Sequence, residues 1–599
     1  MRFGRYSKAI GVAAVAALAL SACASAGGGA ESTGEASATG GTISVAEVNA
    51  FSSFNSDTAA GNVDVNGKVA YMTRGGFYHI DNELNVVRNE EFGTYEKVSD
   101  DPLVVKYTVK EGVTWSDGEP VDAGDLLLNW VAESGYANDA KSNEEGEVTS
   151  GTNYFDYAGD TSGLGLTGIP EIGDDGRSIT LTYSKPFADW EIAFGGLQDG
   201  GIGMPAHVVA EKAGLADEQA LIDLINGLER GDAEKPTKPN AELKAVGDFW
   251  NTGFDSKSLP GDTSLYLSSG PFIVDSVTPD QSITLVRNDS YNWGQKPSID
   301  EVTIRFIGAA PDQVQALKNG EVDIIAPQPS ADTVELLNAI DGVTVHIDDQ
   351  LSYDHLDLNY SGVFADADVR EAFMKAVPRQ AIVDRIVKPI KEDAAPLNSQ
   401  FFVPAQEAYT PSAEGNGSSA YAEPDIDGAK KLLAGKTPEV RIMYNKDNPN
   451  RADAFSLIQE STEKAGFKVV DGGLGASDWG AALGKGGYDA SIFGWINSGV
   501  GVSGVPQIFR TGSGSNYNGF SDPKADTLMD ELMVTIEPAE QDKLITQIDK
   551  IVWDSFYGLP LFQAVGLDAY NSDRVEGVVY QPNQTGVFWN FWDWKVKGE

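Results

Sequence analysis

The chain carries a single cysteine, Cys23, among its 599 residues. No intramolecular disulfide can form, so packing and hydrogen bonds must hold the fold. Histidine is almost as scarce. His79, His207, His346 and His355 are scattered without the H-x-x-x-H kind of spacing that gathers ligands around one ion. No metal or cofactor site is expected. Basic residues are few, 44 Lys and Arg against 89 Asp and Glu, for a net charge of −45. A surface of that sign repels phosphates, which argues against nucleic acid and anionic lipid headgroups as direct partners. Long hydrophobic runs are lacking too. The run Ala9 to Leu20 is shorter than the roughly 20 residues that span a bilayer. Neither a G-x-S-x-G nucleophile elbow nor a P-loop occurs, so the chain reads as a binding protein rather than an enzyme.

What is present begins at the N-terminus. Arg2, Arg5 and Lys8 precede the apolar run, as in a signal peptide. Leu20-Ser21-Ala22-Cys23 then resembles a bacterial lipobox. The resemblance implies that residues 1–22 are removed and that Cys23 carries the lipid. Residues 23–40 are small and polar. As a random coil they reach about 20–25 Å, enough to tether a folded body above a membrane.

The remainder has globular composition, 41% hydrophobic and 10% aromatic. Thr42 to Val45 reads as a first strand. Val105, Tyr107 and Val109 alternate with polar residues in another, and Ser116-Asp117-Gly118 forms a turn. Asp122 stands as an N-cap with Asp125 three residues on, ahead of the buried Leu126, Leu127, Leu128 and Trp130. Residues 208–268 read as surface elaboration rather than a separate domain. Phe272 to Val277, Ile283 to Arg287 and Val302 to Phe306 are strands. Pro311-Asp312 opens a helix, Gly320 ends it where positive φ is needed, and Val322 to Ile325 is buried. Asp366 caps a helix with Val369, Phe373 and Val377 on one face, and Pro378 suits the first turn of the next. Arg370 and Arg379 read as interhelical ion-pair partners rather than ligand clamps. Val440 to Asn445, the helix through Ala465, and Phe467 to Val470 form a β-α-β unit. Val587 to Trp594 reads as an aromatic core strand.

The order Gly270-Pro271-Phe272, Arg287-Asn288, Tyr291, Trp293-Gly294 and Gly320-Glu321-Val322-Asp323 resembles the solute-binding proteins of ABC importers. The likeness is to family 5, which includes dipeptide-, oligopeptide- and nickel-binding proteins. Trp115 to Asp125 is similar to a second family pattern, with Asp122 in place of its threonine, and Ser515-Asn516-Tyr517 to a third. The resemblance implies an α/β, two-lobed, periplasmic-binding-protein-like fold of type II, with an extra subdomain on the first lobe. The first lobe would take residues 41–80, 201–330 and 571–599, the subdomain 81–200, and the second lobe 331–570. It also implies a monomer held to the outer face of the membrane by its lipid. There the chain would capture a small solute, foremost a di- or oligopeptide, for a permease with a cytoplasmic ATPase. An oligosaccharide, a nickel chelate or another amine is the alternative cargo, and ligand sensing without transport the alternative role. The ligand-binding residues so implied are Phe51, Asn55, Tyr353, Trp495, Asn497, Asn516 and Tyr517. Packing of Phe51 on the core is the competing reading. Peptide binders commonly carry an aspartate after the Gly-Trp of this strand. Here Gly494-Trp495 runs on as Ile496-Asn497-Ser498-Gly499, with no acid before Asp522.

Replacing Cys23 tests the anchor. A Cys23→Ser chain should lose its lipid, seen in intact mass, and leave the membrane fraction. Retention there would overturn the lipoprotein reading.

Overall fold

The computed structural model describes residues 40–142, 148–195, 200–495 and 500–598. Cys23 and the tether lie outside the described residues. One ten-stranded mixed sheet runs through the molecule. In chain order its strands are β1 (Thr42–Glu47), β2 (Phe272–Thr278), β3 (Ser282–Arg287), β4 (Glu301–Phe306), β5 (Ile324–Ile325), β6 (Val343–Leu358), β7 (Glu439–Asn445), β8 (Lys468–Leu474), β9 (Ala490–Trp495) and β10 (Gly558–Asn571). Their spatial order is β2-β3-β4-β1-β5-β10-β6-β9-β7-β8.

The first lobe is built on β1 to β5. β1 lies parallel to β4, with Ile43 opposite Val302 and Val45 opposite Ile304. All four side chains are fully buried, as period-two alternation predicts for a covered sheet. The sequence motifs explain themselves here as framework. A Cβ on Gly270 would come within 2.5 Å of backbone atoms of Thr73 and Arg74, so only glycine admits this close approach. Asn288 Nδ2 donates to the Gly270 carbonyl at 2.9 Å, and Trp293 Nε1 to that of Ser269 at 2.8 Å. Asp323 accepts from Ser44 N at 2.8 Å and from Arg574 Nε at 2.7 Å, pinning β1 to the C-terminal segment.

That segment departs from expectation. Gly586–Asp593 is a 3₁₀ helix, not a strand. Phe588, Phe591 and Trp594 recur at three-residue intervals, the period of a 3₁₀ turn, and with Val587 they are buried in the first-lobe core. Pro378 likewise caps the Arg379–Ile386 helix from just outside it.

The extra subdomain holds a separate four-stranded antiparallel sheet, which includes Gly93–Asp100, Leu103–Val109 and Ser178–Thr182. Against it packs the Ala123–Ser134 helix, buried along its whole length. Its Asp122–Asp125 capping box is present as expected. Trp250 and the helices between Ala206 and Thr252 join this core, so residues 208–268 do not form a domain of their own.

The second lobe surrounds β6 to β9, with Leu356, Ile442, Ile458 and Ile492 fully buried. Arg370 and Arg379 sit in it, but neither forms an ion pair among the described residues. Arg370 donates to the carbonyls of Phe364 and Ser555 and lies over the Tyr360 ring at 4.2 Å. Arg379, fully buried, donates to the Pro560 and Leu397 carbonyls and to Asn398 Oδ1. Carbonyl oxygens take the place of a carboxylate around both guanidiniums, although Arg379 Nη1 stays buried without a partner among the described residues.

The subdomain also stores electrostatic cost. Asp125 accepts from Trp115 Nε1, Asp122 N and Ala206 N, yet burial pushes its carboxyl up to about 7. Burial, then the nearby Asp125 and Asp122, push Glu218 up to about 9. Both groups bind protons more tightly folded than unfolded. The stability they confer is full below pH 4 and is lost as pH rises through about 7 and then about 9. Glu218→Gln should therefore raise Tm at pH 8–9 by about one degree, on the order of 1 kcal/mol. At pH 4 it should give no gain, a contrast that calorimetry at the two pH values measures.

Candidate functional site

Between the lobes lies a cavity of about 450 Å³. Its first wall is the Asp64–Thr73 helix, which presents Asp64, Gly67, Lys68 and Tyr71. These positions follow i, i+3, i+4 and i+7, so one polar stripe of the helix faces the space. Ser56 and the Ala158–Asp160 turn extend this wall. The second lobe supplies Tyr353 and Trp495 from the paired ends of β6 and β9, with Gln400, Phe401, residues 500–505 and Phe509. Asn583, Gln584 and Thr585 close one edge. A neighbouring recess of about 360 Å³ shares Asp160, Ser503 and Gln507 with the main cavity and adds Lys185 and Arg510.

The charge pattern is uneven. Lys68 Nζ pairs with the buried Glu47 at 2.7 Å, and burial pushes the Glu47 carboxyl up despite that partner. Asp64 Oδ1 accepts from Asn49 Nδ2 and from Val65 N, both at 2.9 Å, and makes no ion pair of its own among the described residues. Asp160 is exposed and accepts from Ser162. The cavity thus holds one ammonium, already matched, beside two further carboxylates. Such a site favours a cationic group on its occupant.

Opposite stand the aromatics. Trp495 is nearly parallel to Tyr517, with centroids 6.0 Å apart, and to His355, at 6.1 Å. His355 Nδ1 lies 2.6 Å from Asp357 Oδ1, and Tyr557 donates to Asp357 Oδ2. A polar chain thus fixes the ring that fixes Trp495. Tyr353 donates its hydroxyl to the Gln400 carbonyl at 2.7 Å, tying the two wall segments together. Gln400 and Ser399 are in turn held by Asp549, whose carboxylate accepts from Gln400 N and from Ser399, Ser412 and Asn416 side chains.

Of the seven residues that the sequence points to, Tyr353 and Trp495 line the cavity. Tyr517 stands behind Trp495. Asn516 does not line it; both ends of its amide are spent on the Arg510 and Phe520 backbone. Phe51 lies in the first-lobe core, edge-on to Phe54 at 4.9 Å, and Asn55 is buried with its amide donating to the Trp250 carbonyl. Asn497 falls outside the described residues. Sequence reasoning missed Asp64, Lys68 and Tyr71. Their helical spacing within DVNGKVAYMT was the available signal, a polar stripe on a helix otherwise buried.

Comparison with known proteins gives a consistent picture. The family model for bacterial extracellular solute-binding proteins, family 5, matches residues 91–517. An uncharacterized lipoprotein of Mycobacterium tuberculosis is 26% identical over 566 residues, covering 91% of each chain. The oligopeptide-binding protein OppA of the same species is 24% identical over 496 residues, 80% of this chain and 72% of that one. Among solved structures, the periplasmic EDTA-binding protein EppA superposes with a TM-score of 0.77 at 22% identity, covering 94% of this chain and 99% of that one. The oligopeptide-binding protein AppA of Bacillus subtilis, solved with a nonapeptide, gives 0.69 at 19% identity, covering 93% and 99%.

The Asp549 cluster can be tested directly. Asp549→Ala strands four buried donors and should cost about 3–5 kcal/mol in chemical denaturation, whereas Asp549→Asn should cost less.

Proposed function

From the premise that this chain belongs to the bacterial extracellular solute-binding proteins of family 5, we propose that it captures a di- or oligopeptide between its lobes for delivery to an ABC permease. In this reading the chain is held at the membrane by lipidated Cys23. The observation that carries the peptide reading is the pairing of walls across one cavity. Asp64 and Asp160 offer carboxylates to an ammonium, while Trp495, Tyr353 and Phe401 offer apolar faces to side chains. A volume of about 450 Å³ falls within the roughly 300–1,000 Å³ of small-molecule sites. The missing aspartate after Trp495 is then answered from the facing lobe. An ammonium needs a carboxylate within a few ångströms, and it matters little which lobe supplies it. Loose pockets of this kind hold the backbone firmly and leave side-chain choice open.

Mass spectrometry of whatever copurifies with a Cys23→Ser chain tests the reading. Peptide masses are expected, and a sugar or a metal chelate would overturn it. Asp64→Asn should weaken peptides with a free amino terminus on the order of tenfold and leave N-acetylated ones nearly unchanged, as read by titration calorimetry.

A further inference from the structure

Asp189 belongs to neither wall of the cavity, yet it holds one of them in place. It sits in a turn of the subdomain between Phe187 and Phe194, both buried in the subdomain core. Its carboxylate reaches across to the second lobe. Val502 N donates to Oδ1 at 3.0 Å and to Oδ2 at 2.8 Å, and Ser503 N donates to Oδ2 at 2.8 Å. Val502 is buried in a second-lobe core with Phe509, Phe520 and Met529, so the bonds join that core to the subdomain, where Ala188 and Met533 also pack across. Beside them, Ala188 N donates to the Met533 carbonyl at 2.8 Å.

Two features show that this is a fitted contact rather than a chance approach. Asp189 is only 7% exposed, so a solvated carboxylate has been given up for backbone N–H groups of the other lobe. Gly501 has φ +84°, and a Cβ there would fall 2.7 Å from Asp189 Oδ2 and 2.8 Å from Ile192 Cδ1. The backbone at 501 must be bare for the carboxylate to seat. Residues 500–505 are also the cavity wall. Whatever holds Val502 and Ser503 to the first lobe holds the cavity shut.

We propose that Asp189 is the latch of the cleft, a positioning residue outside the cavity whose carboxylate grips the Val502–Ser503 backbone and thereby sets how long a bound solute stays. The inference rests on the solute-binding reading, and its test separates the two. Asp189→Asn keeps shape but offers one acceptor oxygen in place of two, and turns an NH₂ group toward an N–H donor. Gly501→Ala attacks the same contact from the other lobe. In a Cys23→Ser background the only thiols are those introduced, so Asp174→Cys and Lys524→Cys, on exposed positions of the two lobes, take spin labels selectively.

With a tryptic digest of casein as probe, Asp189→Asn should release bound peptides on the order of tenfold faster, with association little changed. The inter-label distance should lengthen, and Tm should stay close to that of the parent. Gly501→Ala should reproduce both effects. Unchanged release and an unchanged distance in Asp189→Asn would overturn the latch. Should the parent chain bind no casein peptide, the peptide reading falls, and the inter-label distance without peptide still decides the latch.

Discussion

Everything in the molecule hangs on two long strands paired antiparallel, β6 and β10. One end of β10 pairs with β5 in the first lobe, and the far end of β6 pairs with β9 in the second. Their own pairing shifts register twice, between Asp349 and Tyr353 and again between Asp354 and His355. A bulge of this kind interrupts the ladder and bends the strand locally. Here Gln563 Nε2 donates to the Gln350 carbonyl and Leu351 N to that of Pro582, so side-chain and loop contacts replace ladder bonds. The lobes are joined through a sheet stiff along its length, with its weakest point beside the cavity. Tyr353 lies between the two shifts and pairs with Trp495, so it belongs to the second lobe.

In a body without disulfides, buried charge takes over the task of fixing loops. Asp57 and Arg74 pair at 2.8 Å with both side chains almost wholly enclosed, and Arg74 also donates to the Phe54 carbonyl. Arg379 and Asp549 do the same for residues 397–400. Each such group is costly to bury and far costlier to leave unpartnered. The geometry around it is therefore narrowly defined. The cavity walls rest on these groups, which hold the loops at positions 51–57 and 397–400 in place.

The framework was legible in the sequence because its signals are local. Alternation in β3 and β4, the Asp122 cap, the left-handed Gly320 and the stripe of the helix after Asp366 each depend on neighbours within a few residues. Family likeness added the two-lobed arrangement. The cavity was half legible. Tyr353 and Trp495 lie on strands whose ends could be placed, whereas the stripe Asp64–Tyr71 sits on a helix with weak patterning and no capping side chain. Arg370 and Arg379 misled because a sequence displays charges but not the carbonyls that meet them. The terminal aromatic segment misled because a spacing of three, read over eight residues, mixes with a spacing of two.

Arg574 Nη2 donates to the Thr42 carbonyl, and Trp594 packs in one core with Ile43. The first strand and the last turn of the chain are thus structural neighbours separated by some 550 residues of intervening polypeptide. The consequence concerns birth rather than binding. A nascent chain cannot finish its first lobe until the residues around Trp594 have emerged. A core closed by segments so far apart in sequence stays incomplete through most of synthesis, whatever its parts can do alone.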